Sequence, residues 1–492
     1  MDLHRPLRYL NPETPPHEKG RLAVIDIGSS SIRLVVYEDV RAYPYVVINQ
    51  KVWCALAAGK GLENFRLAED KITRALGALE WFLWVARQTG ADAVLAFATS
   101  AVREAVNGPD FVARIKAELG LTVSILSGET ESKLSAFGAR FSVPDAKGLV
   151  VDLGGGSLEL FGTETADFAC LPLGVLTLKV LSSDTPQKAC DILTKAFADV
   201  PWLAKAQGPS ILAIGSGMRS IARLHMAKVD YPLNIVHDYR LPKADGLAFC
   251  EGLMTGDLSP KMADLSKNYR DVMPYRAAAL YALLKLPTVR EVRFATFGLR
   301  EGVLFSQSGD VPILHDPLLA FAADLAERDG RGRAYADRLA AWVTPLVPNA
   351  NRRYLQAAAY LAEISWREQV AYRARTAFDR VLGGSYVAAD HALRARLALT
   401  CYFRHESTLL PGMETEVKGI VTPADIAEAR RVGALFQLAE LLDPGARGEL
   451  MPFRLVRGAD GVYRLDAPKA FQTMQSEEVA ERLATVNQVF NA

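Results

Sequence analysis

The chain has 492 residues, half of them hydrophobic and 23% charged, and Lys+Arg 57 against Asp+Glu 56 leave a formal charge of +1. Such a length suggests roughly three or four units rather than one domain, and so even a balance means that a polyanion must be attracted by a local cluster, not by the field of the whole molecule. No apolar run reaches the ~20 residues of a membrane-spanning helix. The first twenty residues, rich in proline and without a signal-like apolar core, read as a loose polar arm, so a cytoplasmic protein with no membrane partner is expected. Five cysteines, odd in number and without CxxC spacing, support neither a disulfide framework nor a zinc site.

The front of the chain repeats itself. Leu22–Val36, LAVIDIGSSSIRLVV, and Gly148–Phe161, GLVVDLGGGSLELF, share one pattern: an apolar strand ending in Asp, a Gly/Ser turn, and a second strand. Asp26 matches Asp152, Gly28 matches Gly154 and Ser31 matches Ser157, 126 positions apart. Small residues in each turn, Gly28, Ser29, Ser30 and Ser31 in one and Gly154, Gly155, Gly156 and Ser157 in the other, let backbone N–H groups approach a phosphate closely. The Asp closing each first strand is placed to hold a metal that bridges phosphate oxygens. For either hairpin alone turn geometry is the favoured explanation; the matched pair argues against coincidence.

Asp70–Arg87 has a helical pattern. In Val94–Glu104, VLAFATSAVRE, a strand ends at Thr99 and a helix begins at Ser100, which puts Arg103 near the cleft end of the sheet. In Val123–Leu134, VSILSGETESKL, Ser127 starts a helix whose first turn holds Glu129 and Glu131. Alone, such an acid is a helix-start carboxylate worth a few tenths to ~1 kcal/mol. Ile211–Gly217, ILAIGSG, runs a strand into a helix start whose Gly215, Ser216 and Gly217 favour an anion. Arg293–Phe305 repeats the strand, Gly, helix order. This alternation predicts α/β packing over residues 21–305.

The segments VIDIGSSSIRLVV, FATSAVREA, ILSGETESKL, VVDLGGGSLEL, AIGSGMRSIA and FGLREGVLF together resemble the exopolyphosphatase and guanosine pentaphosphate phosphohydrolase (Ppx/GppA) family, a branch of the actin, hexokinase and heat-shock-ATPase superfamily. The resemblance implies two ribonuclease-H-like, actin-like lobes at 21–140 and 141–310 with the active site in the cleft between them. It further implies an α-helical HD-like domain at 311–410, here without a metal site, before a small terminal α+β unit at 411–492. The implied activity is Mg²⁺-dependent removal of terminal orthophosphate from inorganic polyphosphate, with guanosine pentaphosphate (pppGpp) as the alternative substrate and a homodimer as the assembly; no nucleic-acid partner is expected. By the same resemblance Glu131 is the general base, Asp152, Glu159 and Asp26 serve the metal, and Arg103 and the two loops hold phosphate. Two positions depart from the family pattern: Ser30 stands at the usual Asn of the first loop, and Thr130 replaces the first of two Glu, which removes a like charge beside Glu131.

From about Leu314 the pattern becomes helical, as in His315–Ala341 and Tyr354–Arg380. His315-Asp316 is read as a helix-start pair rather than a metal site, because YLAEISW at Tyr360–Trp366 adds no further ligands. Between Asn351 and His405 nine arginines face four acids. Two readings stand: a phosphate-binding track through Arg352, Arg353, Arg373, Arg375, Arg380, Arg394 and Arg396, or a solvated helical face with salt bridges. PFRLVRG and GVYRLDA read as strands beside a helix at Pro423–Leu442. A small-molecule kinase and an actin-like scaffold with a degenerate site are the competing functions; retention of Glu131, Asp152 and Glu159 argues against the scaffold.

Overall fold

The computed structural model describes residues 7–10, 20–39, 43–58, 64–205, 208–256, 266–307, 315–447, 450, 452–469 and 476–491. They fall into two compact units, Met1–Leu314 and His315–Ala492. The expected boundary at 310/311 lies outside the described residues.

The first unit holds two six-stranded sheets built on one plan. In the first, β2 (Leu22–Ile27), β3 (Ser31–Tyr37) and β4 (Val46–Trp53) form an antiparallel meander, while β5 (Ala93–Ala98) pairs parallel with β2 and β6 (Val123–Ile125) parallel with β5. In the second, β7 (Gly148–Leu153), β8 (Leu158–Gly162) and β9 (Phe168–Leu171) form the meander, and β10 (Ser210–Ile214) and then β12 (Glu291–Phe294) extend it in parallel, with β11 (Tyr239–Pro242) antiparallel on the far edge. Strand order 3-2-1-4-5 therefore occurs twice, as expected of two ribonuclease-H-like lobes. Both faces of the central strands are packed, whereas β4 and β9 at the edges are largely open to solvent. Every residue of β5 is buried, and its uninterrupted apolar run, AVLAFA, is what a strand covered on two sides requires.

The proline-rich arm is not wholly loose. Arg8–Leu10 form β1, which pairs parallel with β5 in register with Ala93–Leu95, and Leu10 is buried there. Sequence reasoning missed it because three residues are too short to show a period; residues 1–6 and 11–19 of that expected arm lie outside the described residues.

Helix Gly128–Ser142 leads from the first sheet to the second, and helix Leu299–Ser306 follows the last strand of the second. The two cross through glycines: a Cβ on Gly138 would clash with Gly298 O, and one on Gly302 with Leu134 O. Gly at both positions lets the backbones touch.

In the second unit the expected long helical stretches are broken into Pro317–Arg328, Arg333–Val343, Arg352–Leu361 and Val370–Leu382. Asp316 accepts from Leu318 N and Leu319 N, so it is the helix-start residue expected of it, and it also pairs with Arg353 at 2.6 Å. Helix Pro423–Leu442 packs against helix His391–Phe403, so the described part of 411–492 belongs to the same unit as the helices before it. Arg454–Arg457 and Tyr463–Asp466 form the expected antiparallel pair.

The arginine surplus is not a free track. Arg375 binds Glu416 at 2.7 Å and Asp379 at 2.8 Å, Arg380 pairs with Asp329, and Arg396 pairs with Glu428 and, at 3.3 Å, Asp425. Arg394 is buried and donates to the carbonyls of Leu382, Gly384 and Tyr386, and Arg373 donates to Glu368 O. Arg352 is exposed. Counting charge between 351 and 405 misses acids brought in from outside that stretch: Asp316, Asp329, Glu416, Asp425 and Glu428. Glu363, in the YLAEISW segment, is 2% exposed and sits between Arg404 and Arg331 in a buried ion-pair cluster. No helix among the described residues is long and apolar enough to cross a membrane.

Candidate active site

The two hairpin turns reach one cleft, with about 220 Å³ of space for water, between the sheets of the first unit. They are built alike. Gly28 N donates to Ser31 O at 3.1 Å and Gly154 N to Ser157 O at 3.0 Å, so each turn closes on itself and presents its intervening residues to the cleft. Gly28, Ser29, Ser30, Ser31, Gly154, Gly155 and Ser157 line it. Gly156 does not; its backbone lies against Gly174, where any side chain would clash with Gly156 and Ser157. Gly215 and Ser216 line the cleft at the start of helix Gly215–Lys228. Gly215 has φ +85°, and a Cβ there would stand 2.8 Å from Asp152 Oδ1, so only glycine fits. Gly217 makes room instead for Arg276, whose Nε would be 2.6 Å from an added Cβ.

The strand-end acids occupy matched places with different partners. Register puts Asp26 opposite Arg33 on β2–β3 and Asp152 opposite Glu159 on β7–β8. The first lobe thus pairs acid with base where the second pairs acid with acid. Burial raises Asp152 to about 6 and Glu159 to about 8, and neighbouring carboxylates add to the effect, Asp26 on the first and Glu131 and Asp152 on the second. Cys170 Sγ lies 3.7 Å from Glu159 Oε1, and its thiol is pushed up to about 12 by burial and then by that carboxylate. Asp26 is also raised by burial, although Arg300 stands 3.6 Å away.

Ser127 caps helix Gly128–Ser142 by accepting from Thr130 N at 3.1 Å, which places Glu131 in the first turn as expected. Thr130, at the missing family Glu, completes that cap through its hydroxyl, 2.9 Å from Ser127 Oγ. Glu131 Oε2 accepts from Arg103 Nη1 at 2.7 Å. Burial pushes Glu131 up to about 7; Arg103 opposes this, and Asp152 and Asp26 reinforce it. Arg103 does not line the cleft directly. The same Nη1 also donates to Leu126 O at 2.8 Å, so these two contacts fix the guanidinium beside the carboxylate.

Four cationic side chains that sequence reasoning did not single out line the cleft: Arg33, Lys51, Arg219 and Arg300. They face the four acids Asp26, Glu131, Asp152 and Glu159. Arg219 is held down to about 10 by burial and then by Arg300. For Arg300 burial opposes the charge, but Glu301 and Asp26 outweigh it. Arg33 was signalled by the repeat itself, since it stands 126 positions before Glu159, and Arg219 and Arg300 lie inside quoted motifs. Lys51 had no local signal; β4 brings it in by pairing it with Arg33.

Among the described residues no three His, Cys, Asp or Glu side chains close into a protein-only metal cage. Two opposed, mutually repelling carboxylates beside the glycine/serine turns nevertheless fit Mg²⁺, which is commonly held by one or two carboxylates together with substrate phosphates and water.

Known proteins match this chain over its first unit and beyond. Residues 35–310, more than half of the chain, match the Ppx/GppA phosphatase family, and residues 313–491 match the exopolyphosphatase C-terminal family. "Exopolyphosphatase 1" of Mycobacterium leprae is 32% identical over 221 residues, 42% of this chain and 64% of that protein. "Exopolyphosphatase 1" of Mycobacterium bovis is 27% identical over 306 residues, 58% of this chain and 87% of that protein. The crystal structure of the Aquifex aeolicus Ppx/GppA family member superposes with TM-score 0.51 at 24% identity, covering 59% of this chain and 98% of that one. An exopolyphosphatase structure from Cytophaga hutchinsonii superposes with TM-score 0.50 at 22% identity, covering 60% and 99%. Those two likenesses speak for the fold, whereas the family match, over more than half of the chain, spans Glu131, the strand-end acid Asp152 and the loop Gly154–Ser157 together: the chain belongs to the Ppx/GppA phosphatase family.

Proposed function

We propose that this protein is an exopolyphosphatase that hydrolyses the terminal phosphoanhydride of inorganic polyphosphate with Glu131 as general base. The observation that carries the reading is Glu131 itself: a carboxylate whose side chain is 14% exposed, with pKa near 7, held by Arg103 at the edge of a cleft lined by two glycine/serine loops. A base poised near the working pH takes a proton efficiently and still yields a substantial deprotonated fraction. In this reaction Glu131 accepts a proton from water as its oxygen bonds to the terminal phosphorus. The bridging P–O bond then breaks, and its electron pair leaves on the shortened chain. Orthophosphate and a chain one unit shorter result.

The backbone N–H groups of the two turns, with Arg33, Arg219 and Arg300, meet charge on the non-bridging oxygens, and they need no reorganisation because they are already fixed. Asp152 and Glu159 would hold Mg²⁺, with Asp26 beside them. When bound, Mg²⁺ neutralises phosphate charge. The test is orthophosphate release from long polyphosphate and from pppGpp at matched Mg²⁺, for the native chain and Glu131→Gln. Release from polyphosphate slowed ~10²–10⁴-fold by the substitution, with substrate affinity retained, is expected. Near-native turnover in the variant would remove Glu131 from the reaction, and preference for pppGpp would reassign the substrate.

A further inference from the structure

Arg300 and Glu301 are neighbours in the first turn of helix Leu299–Ser306, and each bonds to the other lobe. Arg300 lines the cleft and stands 3.6 Å from Asp26, near the end of β2, while its Nε is buried with no hydrogen-bond partner. Glu301 does not line the cleft and is 7% exposed. Its Oε1 accepts from the hydroxyl of Tyr37, the last residue of β3, at 2.9 Å, and its Oε2 accepts from Gly298 N at 2.9 Å. Tyr37 is 1% exposed and also stays out of the cleft lining. Arg33 and Tyr37 are four residues apart on one strand and so share a face of the first sheet. One carboxylate therefore joins Gly298, which lines the cleft from the second lobe, to a strand of the first.

We propose, on the reading that the cleft takes a phosphate chain, that Tyr37 and Glu301 are positioning residues: they pin the start of helix Leu299–Ser306 to the first lobe and so hold the Arg300 guanidinium where it meets phosphate oxygen. Capping the helix does not by itself call for a glutamate. At helix Pro423–Leu442 the corresponding residue is Asp425, and it accepts from Thr422 N at 2.9 Å, so a shorter acid makes the same cap. The extra methylene of Glu301 carries its second oxygen to Tyr37, 264 residues earlier in the chain. Both bonds are buried, and a buried acceptor deprived of its donor has no water to turn to. Ordering a long side chain beforehand spares that entropy on binding. Pinning the backbone rather than the guanidinium fixes Arg300 and leaves the Nε hydrogen for a phosphate oxygen.

A double-mutant cycle separates positioning from packing. The full-length Glu131→Gln protein, with Mg²⁺ present, is titrated with inorganic tripolyphosphate in a calorimeter. Tyr37→Phe removes one hydroxyl and should weaken binding ~5-fold; once Arg300→Gln is also present, the same change should weaken it by less than ~2-fold. Glu301→Asp keeps the cap and gives up Tyr37. It should match the ~5-fold loss, lose its effect without Arg300 and add nothing to Tyr37→Phe, and it decides the matter if Tyr37→Phe melts early. Equal losses with and without Arg300 would make the pair a packing contact and overturn the proposal. Normal binding by Tyr37→Phe and Glu301→Asp, or by Arg300→Gln itself, would overturn it too. Because these are equilibrium measurements, they stand even if the native chain releases no orthophosphate from polyphosphate, in which case only the assigned reaction fails. A Glu131→Gln protein that binds no tripolyphosphate would remove the reading of the cleft and the proposal with it.

Discussion

Glu159→Gln should stabilise the metal-free protein, and by an amount that depends on pH. Glu159 is 6% exposed and faces Asp152 across the β7–β8 pair. Burial first, and then the charges of Glu131 and Asp152, lift it from 4.5 to about 8. A carboxyl whose folded pKa exceeds its unfolded one keeps its proton longer in the folded state. Its favourable contribution is therefore fully present below about 4.5 and is lost as pH rises towards 8. One pKa unit corresponds to about 1.4 kcal/mol, so the shift sets an upper bound of about 5 kcal/mol. Structural relaxation and shared titration with Asp152 reduce this, and ~2–4 kcal/mol is expected. Glutamine has the same shape and never ionises. Urea unfolding of both proteins in EDTA should thus show no stability difference from this ionisation near pH 4.5 and an advantage of ~2–4 kcal/mol for the variant near pH 8.5. Mg²⁺ should stabilise the native protein more than the variant and so shrink the gap. A difference that stays flat with pH would refute the assignment of Glu159 as a buried, charge-stressed carboxylate.

Since Glu131 must be deprotonated to accept a proton and titrates near 7, kcat/KM should fall about tenfold per pH unit below that point and level off above it. Arg103→Gln removes the cation that holds Glu131 down, so the same profile should move about a unit to higher pH; an unmoved profile would show that the pair does not set the base. Gly215→Ala, at φ +85° and beside Asp152, should raise the Mg²⁺ needed for half-maximal activity in a metal titration. Arg404→Met leaves Glu363 and Glu440 with Arg331 as the remaining guanidinium between them and should cost ~2–4 kcal/mol in a denaturant melt.

The first unit was legible because its signals are local. A strand closed by Asp and turned by glycine and serine determines both the hairpin and the place of its acid, and seeing it twice gives two lobes and a shared cleft. Ser127 likewise announces the helix that carries Glu131. What failed was non-local. Leu126 O and Glu131, more than twenty residues on, hold Arg103, and nothing in its own segment announces either partner. Lys51 enters the cleft only through pairing with β3, and the arginines of the second unit look unpaired until Asp316, Asp329, Glu416, Asp425 and Glu428 arrive from outside their stretch.

The exchange of Arg33 in one lobe for Glu159 in the other bears on direction. A linear polyphosphate has two identical ends, and a cavity floored by two copies of one hairpin would receive it equally well in either sense. Opposing Asp26 with a base and Asp152 with a second acid makes the two halves unlike at the atoms where the terminal unit rests. On the proposed reading, one side would call for a bridging cation and the other would meet anionic oxygen without one. A molecule lacking polarity would thereby acquire one only on binding, through the difference between the two copies.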